Sequence, residues 1–218
     1  MQVVGVPPRA GIVLVLSGPS GAGKTSICRQ IQAMMPEVTE SVSCTTRLPR
    51  PGERDGQDYY FMSHEVFDAH VAAGDFLEWA VVHGNQYGTL RQHVYDLTAA
   101  GQDVLLTIDV QGAAHLRSVH LDAVYVFILP PSMAVLAARL ERRGSETKEV
   151  RQRRLAVARE ELRHYTEYDY MIYNEQLATA AETLRSIILA ERHRIARLGK
   201  DPLAGFLQGQ SLRAPDAV

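Results

Sequence analysis

The 218-residue chain is 46% hydrophobic, 22% charged and 7% aromatic, a balance that fits one large domain able to bury a real core and excludes disorder for the bulk of it. Twenty-three basic residues against twenty-five acidic ones give a net charge of −2, so composition carries no general nucleic-acid or membrane footprint. The longest apolar stretch, Ala123 to Leu129, is far too short to span a bilayer, and the run Ile12 to Leu16 is too short for a secretory segment; the expected location is cytoplasmic.

Short apolar runs alternate with amphipathic stretches, which predicts an α/β fold with a parallel sheet. GIVLVLS (11–17) reads as a buried strand ending in a glycine cluster, and Lys24 to Met34 as a helix stopped by Pro36. Ser41 to Thr46 reads as a strand, followed by a Pro-, Arg- and Gly-rich loop (47–58). His64 to Ala73 reads as a helix ending at Gly74, Phe76 to Val82 as extended, and Thr89 to Ala100 as a helix stopped by Gly101. DVLLTIDV (103–110) and AVYVFIL (123–129) are Val-, Ile- and Leu-rich core strands. A helix is expected behind the double Pro with Ser132 as N-cap, then a long charged helix from about Glu149 to Thr166. Asp169 to Tyr173 gives a last strand and Leu177 to Leu198 a last helix, while 199–218 lacks periodicity and reads as a mobile tail.

GPSGAGKT (Gly18 to Thr25) fits G-x-x-x-x-G-K-[ST] and lies between a buried strand and a helix, where a phosphate cradle must lie. Gly18, Gly21 and Gly23 let the backbone curl so that successive N–H groups point at phosphate oxygens, with Pro19, Ser20 and Ala22 completing the loop. The helix start adds its positive end, Lys24 a point charge for the β- and γ-phosphates, and Thr25 a hydroxyl for Mg²⁺. Such a loop names a cradle and not a reaction. The N-K-x-D base loop of guanine-specific GTPases is absent and the chain is short for a motor, so transfer to a small acceptor is the natural reading. Downstream, Arg47 and Arg50 lie three apart in a constrained loop with hydroxyls before and tyrosines after, a plausible second anion site because arginine forks match phosphate geometry. Eight of the twenty arginines fall between Arg139 and Arg163; composition alone reads them as a solvated helix face.

Several separated strings, SGPSGAGKT, SVSCTTRLPRPGE, DYYF, FLEWA, GNQYGT, IDVQGA, RRGSET and EYDYMIYN, together resemble the guanylate kinase family, most of all its bacterial members, from about Gly11 to Arg194. The resemblance implies a P-loop NTPase with a parallel central sheet (core about 11–40, 90–137 and 158–197), an inserted mixed α/β GMP-binding segment (about 41–89) and a helical lid (about 138–157). It implies transfer of the γ-phosphoryl of ATP to GMP with Mg²⁺, ATP and GMP being the expected partners, and neither nucleic acid nor membrane. Ser43, Arg47, Arg50, Tyr59 and Tyr87 would line the GMP site, the arginines and tyrosines holding its phosphate. Glu78 and Asp109 would accept from guanine N1–H and the N2 amino group, with Ser43 and Thr89 facing O6. Carboxylates suit that edge, where guanine presents donors and adenine does not, and such a site can discriminate by about 10⁴ or more. Arg139, Arg143 and Arg154 match phosphate- or adenine-facing arginines, and Asn174 an adenine-side residue; Lys24, Arg47, Arg143 and Arg154 would carry catalysis.

Two departures stand out. Relatives often carry an acid two residues ahead of the Asp of IDVQG, where this chain has Thr107, leaving Thr25, the phosphates and Asp109 to manage the metal; and Gln86 stands where many relatives have Tyr. The rival readings are a non-catalytic guanylate-kinase-like binding module and a P-loop kinase of another phosphorylated acceptor. The coexistence of loop, acceptor residues and lid arginines opposes the first, and the two base-reading acids oppose the second. Cys28 and Cys44 are spaced like neither a metal knuckle nor a redox pair, and Cys44, inside the acceptor motif, is expected to be open to alkylation.

Overall fold

The computed structural model describes residues 3–5, 10–82, 84–141, 148–198 and 211–213. In chain order they form β1 (Val3–Gly5), β2 (Val13–Ser17), α1 (Lys24–Met34), β3 (Val38–Glu40), β4 (Cys44–Thr45), β5 (Tyr60–Phe61), α2 (His64–Ala73), β6 (Phe76–Val82), β7 (Asn85–Leu90) and α3 (Arg91–Ala99). There follow β8 (Asp103–Thr107), α4 (Val110–Ser118), β9 (Val124–Leu129), α5 (Met133–Glu141), α6 (Lys148–Leu162), β10 (Tyr170–Tyr173), α7 (Leu177–Arg192) and β11 (Ser211–Arg213).

Among the described residues the central sheet runs β10-β9-β2-β8-β3 with every pairing parallel. All five residues of β2 are buried, because both faces of the sheet are covered. Leu14 and Leu16 pack with Ile27, Cys28 and Ile31 of α1 and Ala180, Leu184 and Ile188 of α7. Val13 and Val15, pointing the other way, pack with Val104 and Leu106, with Val94 of α3 and with Ala113 and Leu116 of α4. A second, mixed sheet runs β5-β4-β7-β6 and is covered by α2 through stacked Phe67 and Phe76 rings 4.5 Å apart. Gly88 of β7 lies under these rings, where a Cβ would come within 2.9 Å of Phe76 and 3.1 Å of Phe67. Leu136 and Leu140 of α5 meet Ala158 of α6 in a separate small cluster. This is the expected α/β architecture, a parallel core with an inserted mixed segment.

The expected bounds of α1, α2 and β6 match the structure. Ser63 caps α2 by accepting from the Val66 N–H, and Gly74, at φ 72°, ends it. Ser132 accepts from the Val135 N–H, as an N-cap ahead of α5 should. Three readings are corrected. The single strand expected over Ser41–Thr46 is two: β3 closes the core sheet at Glu40, and the chain then crosses to begin the second sheet at Cys44. Thr89 belongs to β7, which runs on to Leu90, and the following helix starts at Arg91, because the Thr89 side chain is drawn inward to a buried acid. The strand expected over 103–110 stops at Thr107, and Asp109 caps a helix, α4, that the sequence pattern did not signal. Within 199–218, Ser211–Arg213 pairs in parallel with Val3–Gly5.

The end of α7 is anchored by charge. Arg192 Nε donates to Asp103 Oδ2 at 2.7 Å with both side chains buried, Arg192 Nη2 reaches Glu37 at 3.0 Å, and Asp103 Oδ1 accepts the Ile12 N–H at 2.9 Å. One buried pair thus binds the last long helix to the starts of the two central strands. Arg192→Met takes the guanidinium away from a fully buried carboxylate. It should cost about 3–5 kcal/mol in urea denaturation, and adding Asp103→Asn should recover part of that loss.

Candidate active site

β2 delivers the chain into the loop Gly18–Gly23 and α1 takes it out. Gly18 (φ 137°) and Gly23 (φ 100°) sit in the left-handed region. Neither tolerates a Cβ: one on Gly18 would lie 2.3 Å from the Ile128 carbonyl oxygen, and one on Gly23 would lie 2.2 Å from Asn174 Nδ2. α1 has no side-chain cap at its start, so its first-turn N–H groups face the cavity, where its dipole favours an anion. Lys24 Nζ donates to the carbonyls of Gly18 and Pro19, which holds the ammonium at the mouth of the loop.

Two expected ATP-side residues lie behind the loop, outside the cavity lining. Asn174, 4% exposed, donates from Nδ2 to the Ala22 carbonyl at 2.7 Å. Arg139 donates to the same carbonyl at 3.2 Å and, through Nη2, to the Asn174 carbonyl at 3.1 Å. Arg154 comes from α6 over the front and donates to Ser20 Oγ at 2.8 Å. Arg143 lies outside the described residues.

A single cavity joins this loop to the second sheet. It is lined by Gly18, Ser20, Gly21, Gly23, Lys24 and Thr25 on one side and by Ser43, Arg47, Arg50, Tyr59, Glu78, Tyr87 and Asp109 on the other, with Arg154 between. Pro19, Ala22 and Thr89 support it from outside its lining. Arg47 makes a two-pronged contact with Glu53 (2.9 and 3.0 Å), donates to the Leu48 carbonyl at 2.7 Å, and lies 5.3 Å from the Tyr59 ring centre. The Tyr59 and Tyr87 rings meet edge to face at 5.9 Å.

Glu78, on β6, is 4% exposed and accepts from Thr89 Oγ1 at 2.6 Å. Burial pushes its carboxyl up to about 7, with the nearby Asp109 charge adding and the Thr89 hydroxyl opposing. Gly112 of α4 serves both acids. Its N–H donates to Asp109 Oδ1 at 2.8 Å, and its missing side chain leaves room for Glu78, whose Oε2 would be 2.5 Å from a Cβ there.

Three carboxylates escaped the sequence reading. Glu53, which fixes Arg47, was signalled only by its place at the end of SVSCTTRLPRPGE. Glu161 lines the cavity from α6, in a helix whose many charges gave it no contrast. Burial raises its carboxyl, against the opposing Lys24 charge. Glu40 accepts from the Thr107 hydroxyl at 2.8 Å, a partnership between strands that spacing along one strand cannot show. Of the arginines read as a solvated face, Arg159 and Arg163 are exposed, and Arg153, also exposed, borders an adjoining cavity. Cys44 is corrected: it is wholly buried and burial pushes its thiol up to about 12, so it is inert rather than open to alkylation.

The model of the guanylate kinase family matches residues 11–191. A guanylate kinase of Symbiobacterium thermophilum is 52% identical over 202 residues, covering 93% of this chain and 96% of the relative. One of Syntrophotalea carbinolica is 53% identical over 190 residues, covering 87% and 90%. Among solved structures, guanylate kinase from Anaplasma phagocytophilum superposes with a TM-score of 0.75 at 33% identity, covering 91% of this chain and 96% of that one. The family model spans most of the chain, and the relatives are alike over nearly their whole length, so the chain, with its phosphate loop facing two carboxylates across one cavity, belongs to the guanylate kinase family.

Proposed function

We propose that this chain transfers the γ-phosphoryl of ATP to GMP, giving ADP and GDP. The observation that carries the reading is the joint cavity: Lys24 and the loop amides at one end, Glu78 and Asp109 at the other, with Arg47, Arg50, Tyr59 and Tyr87 beside them. ATP phosphates sit in the loop and Arg154 approaches from α6; the part given to Arg143, in the same lid of about 138–157, rests on the resemblance alone. Arg139 and Asn174 hold the loop in shape on the adenine side. GMP sits in the segment of about 41–89, its phosphate on Arg47, Arg50 and the tyrosines. Its base donates N1–H and N2–H to Glu78 and Asp109, with Ser43 and Thr89 on the O6 side. About 11–40, 90–137 and 158–197 form the rigid core beneath.

The attacking GMP phosphate oxygen is already anionic at neutral pH, so no general base is needed. Lys24 and the arginines spread the charge of the transferred group, and positioning in line does the rest. Lid and acceptor segment exclude water as the competing nucleophile. The donors around Thr25, Thr107 and Asp109 are hard oxygens, and among the described residues no group of three or more His, Cys, Asp or Glu forms a metal cage. That suits Mg²⁺, which keeps most of its waters and binds mainly through substrate phosphates. When bound it neutralises the β- and γ-phosphates, with Thr25 as the protein's hydroxyl ligand. Among the described residues no helix is long and apolar enough to cross a membrane. The reading includes a cytoplasmic location and no nucleic-acid partner, in keeping with the net charge of −2.

An ADP-release assay with Mg·ATP against GMP, dGMP, AMP, CMP and UMP should show strong turnover with GMP and little with AMP or the pyrimidines; equal turnover with AMP would overturn the base-reading role of the acids. Lys24→Ala, still folded, should lose roughly 10²–10³ in kcat.

Glu78 gives the site a pH dependence with a definite sign. The folded chain holds its proton up to about pH 7, the unfolded chain only to about 4.5. This group therefore costs nothing below pH 4.5, and its penalty grows as pH rises through 7, to on the order of 3 kcal/mol. Accepting guanine N–H groups requires the ionised form, so GMP affinity should fall below pH 7 and binding there should release a proton. Calorimetry in buffers of different ionisation heat should show that release in the wild type and its absence in Glu78→Gln.

A further inference from the structure

The end of β8 presents Thr107 to the cavity beside Thr25, Ile108 and Asp109. A threonine hydroxyl has one proton and two lone pairs, and the partner that takes the proton decides what the oxygen offers elsewhere. Thr107 Oγ1 gives its proton to Glu40 Oε1 at 2.8 Å. Glu40 closes β3, the strand hydrogen-bonded to β8, opposite Leu105, two residues before Thr107. The two residues thus share the sheet face on which α1 packs. Cys28, one turn beyond Lys24 on α1, is within electrostatic reach of both Glu40 and Lys24, which places the carboxylate under the first turns of the phosphate-loop helix.

We infer that Glu40 is a positioning residue for the metal ion that accompanies ATP, acting through the Thr107 hydroxyl. With its proton committed to a half-buried carboxylate, the Thr107 oxygen turns its remaining lone-pair density to the cavity floor next to Thr25. There it would accept from a metal-bound water. A hydroxyl hydrogen-bonded to a carboxylate is a stronger acceptor than a hydroxyl alone, because the bonds of such a chain polarise one another. The charge sits on β3 and the hydroxyl of the adjacent strand carries its influence to the cavity. Outer partners of this kind orient inner ligands, and their removal typically weakens metal binding by about 10-fold or more.

This inference rests on the metal reading above, and the experiment separates the two. Mn²⁺ stands in for Mg²⁺, and ATP affinity of the intact chain is measured by calorimetry with Mn²⁺ and with EDTA, alongside the electron paramagnetic resonance spectrum of bound Mn²⁺. The wild type should bind ATP more tightly with the metal; no difference would overturn the metal reading and this inference with it. Glu40→Gln should leave ATP affinity in EDTA unchanged, reduce the gain due to Mn²⁺ by about tenfold, and alter the Mn²⁺ spectrum. Thr107→Val, which exchanges a hydroxyl for a methyl group, should do the same, and the two together no more than either alone. Thr107→Asp placed in the Glu40→Gln chain should restore the gain. If the folded Glu40→Gln or Thr107→Val chain keeps the wild-type gain and spectrum, Glu40 has only a structural role and the inference is wrong.

Discussion

A cradle made of backbone N–H groups must hold its curl before any anion arrives, and the Ala22 carbonyl is where this chain secures it. That oxygen faces away from the cavity and receives Asn174 Nδ2 and Arg139 Nη1, from residues 152 and 117 positions further along. The bonds tie the loop to the end of β10 and to α5, so the cradle's shape depends on the far half of the chain being folded. The close approach of Asn174 also explains why Gly23 admits no side chain. The N–H side of the loop is left to the cavity because the carbonyl side is taken.

The acceptor half depends on one glycine in a comparable way. Glu78 arrives on a strand of the second sheet and Asp109 on the turn into α4, and the two meet across Gly112. Gly112 fixes the rotamer of one acid with its N–H and gives the other its space by having no side chain. Burial away from water resists ionisation, and the neighbouring Asp109 charge adds to it, which is the origin of the raised Glu78 carboxyl.

Much of this was legible in the sequence where local chemistry and tertiary demand agree. The β2–loop–α1 unit, α2 with Ser63 and Gly74 at its ends, and β6 carry their boundaries in their own residues. Misreadings arose where tertiary packing overrode the local pattern. The α4 residues VQGAAHLRS contain a glycine and two alanines that hide a helical stripe, and that glycine is there for the site. Thr89, a good starting residue for a helix, is held in β7 by its bond to Glu78. Ser43, Arg47, Arg50, Tyr59, Glu78, Tyr87 and Asp109, singled out by motif, line the cavity, whereas the acids bonded to some of its lining residues carried no signal of their own. Glu53 and Glu40 bond partners 6 and 67 residues away, and such distances have no periodicity to detect.

Ser20 is held from α6 by Arg154, whose Nη2 donates to the Ser20 hydroxyl, and Glu161, seven residues on and two turns along the same helix, lines the same cavity. One helix therefore brings both signs of charge to the loop. The arginine attracts an anion and the carboxylate, within electrostatic reach of Lys24, repels it. The pull on a singly charged anion from the surrounding solution is blunted by that carboxylate, whereas a polyphosphate, with several charges to place, meets Lys24, Arg154 and the helix start together. Glu161 thus sets a threshold of charge for occupancy of the loop.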